Sequence, residues 1–251
     1  MTPVGLRLVN APIVEAVIDI NCDIPPATDL LKLHETAKEA LRASYPKSRR
    51  QMVQEHEFRK EGEKPPEVSV RQGIAALQFL TEDERQIVQI RPDGFSFNRL
   101  APYKSLDEYL PEIERTWGIF RDLTFPVEVR RIGLRFINRI LLPATDETVE
   151  LDVYLRASPQ LPDVDRLVLV GFLNQHSAIE EETGNRVNIT LIMQSLEQDK
   201  FPLILDIDAY SSGTRPPDHW LGIQDAILSL RTLKNRVFER TLTEECLNLF
   251  R

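Results

Sequence analysis

Polar and apolar residues alternate from Pro12 to Ile20, placing Val14, Ala16, Ile18 and Ile20 on one face of a strand and Glu15, Val17 and Asp19 on the other. Beyond Pro25 and Pro26 the period changes. Leu30, Leu33, Ala37, Ala40 and Leu41 recur at helical spacing, with Thr28 or Asp29 placed to cap the first turn, which predicts a helix to about residue 43. Four short β-prone segments at 50–58, 75–80, 85–90 and 95–100 follow, separated by charged or turn residues such as Glu82-Asp83-Glu84 and Pro92-Asp93-Gly94. They predict an antiparallel meander. Ser105 and Glu108 have capping-box spacing, and Leu106, Tyr109, Leu110, Ile113, Trp117 and Phe120 form the stripe of a second helix.

Phe125-Pro126 ends that helix, because proline disfavours α geometry in the residue before it. A strand over 127–142 follows at once, then a short helix near 151–155, strands at 166–179, 186–193 and 201–210, a long helix from Asp218 to about 240 and a terminal helix over 243–250. The order of the second part nearly repeats that of the first, with one strand fewer. The chain is therefore expected to be an α+β protein of two β-α-β(3-4)-α halves, 1–125 and 126–251, suggestive of internal duplication and forming one continuous unit. Pairing the first strands of the halves gives a long curved antiparallel sheet with helices on one face. The TATA-box-binding protein has this order, a likeness of topology that transfers no function. The alternative is a helix-grip fold, in which the sheet wraps the helix 218–240 and leaves a ligand cavity.

Charge narrows the partners. Acidic residues number 39 and basic ones 31, giving −8 overall, against the basic footprint of nucleic-acid-binding domains. The halves carry 17 basic and 20 acidic, and 14 and 19, so no basic tail offsets this. Cys22 and Cys246 are too few and too far apart for a disulfide framework or a thiolate zinc site, which favours a reducing compartment. The first twenty residues lack a basic leader followed by an apolar run, and no stretch reaches the roughly 18–20 apolar residues of a membrane span. A cytoplasmic protein with no membrane partner is expected.

Candidate chemistry concentrates in the strand after Pro126. Arg131, Arg135 and Arg139 share one face with Gly133 and Ile137, while Ile132, Leu134, Phe136 and Ile140 face a core. The row suits an anion or an acidic partner, with Gly133 admitting a ligand close to the backbone. The plainer reading pairs these arginines with Glu15 and Asp19 across two adjacent first strands, as charged strand faces commonly do. Asp206 and Asp208 share a face in the pattern of a weak Mg²⁺ pair, without any phosphate-cradling glycine loop. His34, His56, His176 and His219 have no metal-ligand spacing, and no nucleophile elbow, CxxC pair or dinucleotide turn occurs. Phe95, Phe97 and Tyr103, near Arg91 and Arg99, have the composition of a base-stacking platform, but a strand face beneath the helix 105–123 accounts for them more simply.

The segments NAPIVEAVIDI, DGFSFNRLAPY and RRIGLRFINRI, in this order, resemble a sporadically distributed family of uncharacterised prokaryotic proteins of about this length. The resemblance implies no activity, cofactor or catalytic residue. The family's patchy occurrence points to accessory, defence or toxin-neutralising biology. The expectation is a non-enzymatic binding protein without cofactor, which holds an unknown protein or small anionic ligand on the arginine row and is free to form a homodimer. The alternative is a helix-grip ligand carrier or enzyme with a cavity between sheet and C-terminal helix.

Overall fold

The computed structural model describes residues 8–59, 67–144, 148–162 and 167–251, with side chains at all of these except 55–59 and 67–72. Nine strands form one antiparallel sheet in the order β2-β3-β4-β5-β1-β6-β9-β8-β7. The first half supplies β1 (Ile13–Asp23), β2 (Lys47–Arg59), β3 (Glu67–Leu80), β4 (Gln86–Arg91) and β5 (Gly94–Leu100), with helices α1 (Leu30–Leu41) and α2 (Leu106–Thr124). The second supplies β6 (Glu128–Pro143), β7 (Phe172–Ile179), β8 (Arg186–Met193) and β9 (Lys200–Arg215), with α3 (Leu151–Tyr154), α4 (Trp220–Thr241) and α5 (Glu244–Asn248).

The first strands of the halves meet at the centre. β1 and β6 run antiparallel with Ala16 opposite Phe136, Ile18 opposite Leu134 and Ile20 opposite Ile132. This is the α+β architecture that the hydrophobic periods predict, with one curved sheet and the helices on one face. Alternation sends Ala16, Ile18, Ile20, Phe95, Phe97, Leu134, Phe136, Leu205 and Ile207 beneath the helices, all buried. Trp117 of α2 sits edge-on to Phe95 at 5.8 Å and stacks on Phe120 at 5.1 Å. Each such large side chain contributes roughly 1.5–3 kcal/mol by leaving water. No described helix is long and apolar enough to cross a membrane.

Local signals act as read. Ser105 caps α2, accepting from the Glu108 N–H at 3.3 Å, and Asp29 caps α1 through the Leu31 N–H at 3.0 Å. Phe125 closes α2 in the left-handed region at φ 48°, donating its N–H to the Arg121 carbonyl at 2.9 Å immediately before Pro126. Two boundaries differ from expectation. β9 continues past Tyr210 to Arg215, because β6 offers partners down to Val129, which pairs with Arg215. β7 starts at Phe172, with 167–171 outside the strand, since its only neighbour among the described residues, β8, ends at Met193 opposite Phe172; residue 166, the expected start of the strand, lies outside the described ones. Residues 65–66, read as a loop start before a strand, lie outside the described ones.

Candidate functional site

Two side-chain assemblies flank the central strands, one on each face of the sheet. On the face without described helices, hydrogen bonds run sideways from strand to strand. Arg49 donates to Gln78 at 2.6 Å, Gln78 to Gln89 at 3.1 Å, Gln89 to the Asn98 carbonyl at 3.2 Å, and Asn98 to Glu15 at 2.8 Å. These contacts link β2, β3, β4, β5 and β1. Further along the strands, Arg91 meets Asp19, and Arg131 reaches both Asp19 at 3.4 Å and Asp208 at 3.1 Å. Arg135 donates to Asp206 at 2.9 Å, and Arg139 to Glu197 at 2.6 Å.

Each arginine of the row thus has a carboxylate within hydrogen-bond reach. The partners come mainly from β9 and the turn before it, and Asp19 alone answers from β1. Glu15 turns to Asn98, since its direct neighbour on β6 is Ile137 and not an arginine. Asp206 and Asp208 are engaged by Arg135 and Arg131, and among the described residues no three His, Cys, Asp or Glu side chains come together as metal ligands. Gly133 serves Arg131. Its missing side chain is the space into which that guanidinium folds, over the Tyr210 ring at 4.5 Å. Charge-assisted bonds of this kind are stronger than neutral ones, so the row ties β6 mainly to β9 and the turn before it, with Arg131 alone reaching across to the first half at Asp19.

Beneath the helices the electrostatics reverse. Arg99, Ala16 and Phe136 are cross-strand neighbours on β5, β1 and β6, and Phe97, Ile18 and Leu134 make the next row. Ala16 is the small member of the first row, and above it a cavity opens, roofed by Leu106, Tyr109 and Ile113 of α2 and flanked by Tyr103. Its empty space is about 230 Å³ including the mouth, of which about 10 Å³ admits a whole water. The deep part therefore holds one water-sized group. Arg99 lays its guanidinium over the Tyr109 ring at 5.5 Å, yet its Nε is fully buried without a hydrogen-bond partner, as is the Tyr109 hydroxyl. Tyr103 packs on Tyr109 at 5.5 Å and edge-on to Phe136 at 5.3 Å.

Lys234 of α4 holds its Nζ 4.0 Å over the Phe136 ring. Desolvation, reinforced by Arg231, pushes its pKa down to about 8. Arg231 is satisfied by Asp107 at 2.7 Å. Neither Arg99 nor Lys234 has a carboxylate at ion-pair distance among the described residues. Burial likewise pushes the Tyr103 hydroxyl well above the usual phenol range. Arg99, two tyrosines and the Phe136 ring thus line a narrow cavity that holds no carboxylate, and Lys234 stands over the Phe136 ring.

The remaining sequence candidates fall elsewhere. Phe95 and Phe97 are core beneath α2 and not an exposed platform. His34 is buried between Glu35 and Arg50, His176 is exposed on β7, His219 precedes α4, and the side chain of His56 lies outside those described. An open groove of about 520 Å³ beside Ile24, Pro25, Leu31 and Pro92 has Asp29 on its wall, already engaged in capping α1. Sequence reading passed over the pocket, although one signal was present: Arg99 shares the parity of Phe95 and Phe97 and so must point beneath the helix. Lys234 stands four residues after Leu230 on the stripe of α4. Compared with known proteins, the chain is matched by no family model and by no curated protein.

Proposed function

We propose that the protein is a non-enzymatic binding protein whose ligand is a small carboxylate, seated at the mouth of the cavity beneath α2 with one carboxylate oxygen in the water-sized space beside Arg99 and Tyr109. The observation that carries this reading is a pair of buried polar atoms without a hydrogen-bond partner, Arg99 Nε and Tyr109 Oη, on two of the residues that line one narrow cavity with apolar walls. A buried donor without an acceptor costs about 1–3 kcal/mol, and a ligand oxygen that satisfies both recovers it. Lys234 adds a second uncompensated charge beside Phe136, and the aromatic mouth suits a flat apolar body. The walls are apolar and aromatic, with the unpartnered Arg99 and Tyr109 groups on lining residues and no carboxylate, histidine or thiol to act on the bound molecule, which favours binding over catalysis. The arginine row, already neutralised by Asp19, Asp206, Asp208 and Glu197, is assigned to holding β6 against β9, with one link from Arg131 to β1.

Benzoate and its uncharged analogue benzyl alcohol distinguish the cases in a calorimetric titration. Benzoate is expected to bind at one site, benzyl alcohol at least tenfold more weakly, and Arg99→Met to abolish the difference. Equal binding of the two, or binding that survives Arg99→Met, overturns the assignment.

A further inference from the structure

The two outer edges of the sheet differ in chemistry. A bare edge strand is a template for another strand, and folded proteins blunt such edges with charge, proline or brevity. β2 begins with Lys47, Arg49 and Arg50 within its first four residues. β7 has no such protection. Residues 167–179, which run into and along it, contain no Asp, Glu, Lys or Arg, although charged residues make up 28% of the chain. This stretch is far from buried: Val168 is 65% exposed, Val170 76%, Leu173 68% and Ile179 58%. No described strand pairs with the outer side of β7.

We propose that β7 pairs antiparallel with β7 of a second copy of this chain, joining two nine-stranded sheets into one. The strand's own pattern points to a copy of itself. Its pairing with β8 puts Leu173, Gln175, Ser177 and Ile179 on the helix-free face, an apolar-polar-polar-apolar series that reads alike in both directions. A two-fold axis at His176 sets Leu173 against Ile179 of the second copy and Gln175 against Ser177, each pair occurring twice. On the other face Asn174 meets Ala178, and His176 meets its own counterpart. Sliding the register by two residues in either direction places Leu173 or Ile179 opposite a polar residue, so the pattern selects this alignment. The absence of formal charge on the strip also lets two chains of net charge −8 approach there without like charges in contact. The arrangement is an isologous interface of the kind closed dimers use. It is independent of the ligand pocket, which lies beneath α2 at the centre of the sheet.

Sedimentation equilibrium on the full chain tests the assembly, and a cysteine at position 176 tests the register. Directly opposed residues of an antiparallel pair have Cα atoms about 4.5–5.5 Å apart, inside the range a disulfide spans. His176→Cys is therefore expected to form a covalent dimer under mild oxidation, while the native Cys22 and Cys246 stay buried and unreacted. Leu173→Lys with Ile179→Lys creates two like-charge pairs and is expected to weaken self-association by on the order of a hundredfold, with the circular dichroism spectrum unchanged. A monomer throughout the concentration range overturns the proposal and leaves the edge to a different chain. A dimer that survives both lysines, or that fails to cross-link through position 176, overturns it as well.

Discussion

The guanidinium of Arg131 occupies the space above Gly133, so that a β-carbon built on Gly133 would stand 2.7 Å from Arg131 Nη1. From there it reaches Asp19 on β1 and Asp208 on β9 while resting on Tyr210, which binds three strands through one side chain. Gly133→Ala displaces that side chain and is expected to destabilise the protein by about 1 kcal/mol, read as a lower urea midpoint. In the Arg131→Gln background the same change meets no guanidinium. It then removes only the entropic cost of a strand glycine and is expected to stabilise by roughly 0.5–1 kcal/mol. A cost of equal size in both backgrounds would show that Gly133 is required for some other reason.

Tyr109→Phe removes a hydroxyl that is buried without a partner. The empty protein is expected to gain about 1 kcal/mol, seen as a higher melting temperature, because an unpaired buried polar group is costly. Benzoate affinity is expected to fall in the same variant. That opposition of stability and binding marks a polar group kept for a ligand, whereas a purely structural hydroxyl loses stability on removal.

Much of the fold was legible because its strands alternate cleanly and its helices carry capping residues. Ala16, Ile18 and Ile20 announced the buried face of β1, and Ser105 the start of α2. Where β7 begins was not legible. Residues 167–171 have strand composition, but pairing requires a neighbour, and β8 ends opposite Phe172. The arginine row drew attention for its spacing, yet the side chains that neutralise it stand on β9 and in the turn at Glu197, two strands and a loop later in the chain. Charge compensation is a property of strand order, which periodicity alone leaves open. The pocket was hidden for a related reason: Arg99 and Lys234 look like ordinary surface cations until α2 and α4 cover them.

Burial pushes the thiols of both Cys22 and Cys246 up to about 12, so neither has appreciable thiolate near neutral pH. Both are expected to resist a thiol-specific chromogenic reagent in the folded protein and to react together on unfolding. The labelling rate, followed across a urea series, should track the circular dichroism transition. Reaction of either thiol within seconds in native buffer contradicts this.

Lys234 gives the helix-side pocket a pH signature whose sign is fixed by the direction of its shift. Its folded pKa lies at about 8, below the ordinary 10.5, because charge on the amine is penalised by desolvation and by Arg231. Between those two values the unfolded chain holds a proton that the folded one has released, so stability rises with pH across that window. Below about 8 both states are protonated and the penalty is constant. Other groups titrate in the same range, so the informative quantity is the difference between the wild-type protein and Lys234→Met. That variant keeps the bulk of the side chain over Phe136 and has no amine to titrate. At pH 7 Lys234→Met is expected to be the more stable protein by urea unfolding, and its advantage should shrink steadily as pH rises from 8 to 10. An anion bound in the cavity that Phe136 lines opposes the same penalty across that ring, so saturating benzoate should flatten the slope of the wild-type difference. A gap between the two proteins that stays constant over this range would mean that Lys234 is well solvated and is not a charge awaiting a partner.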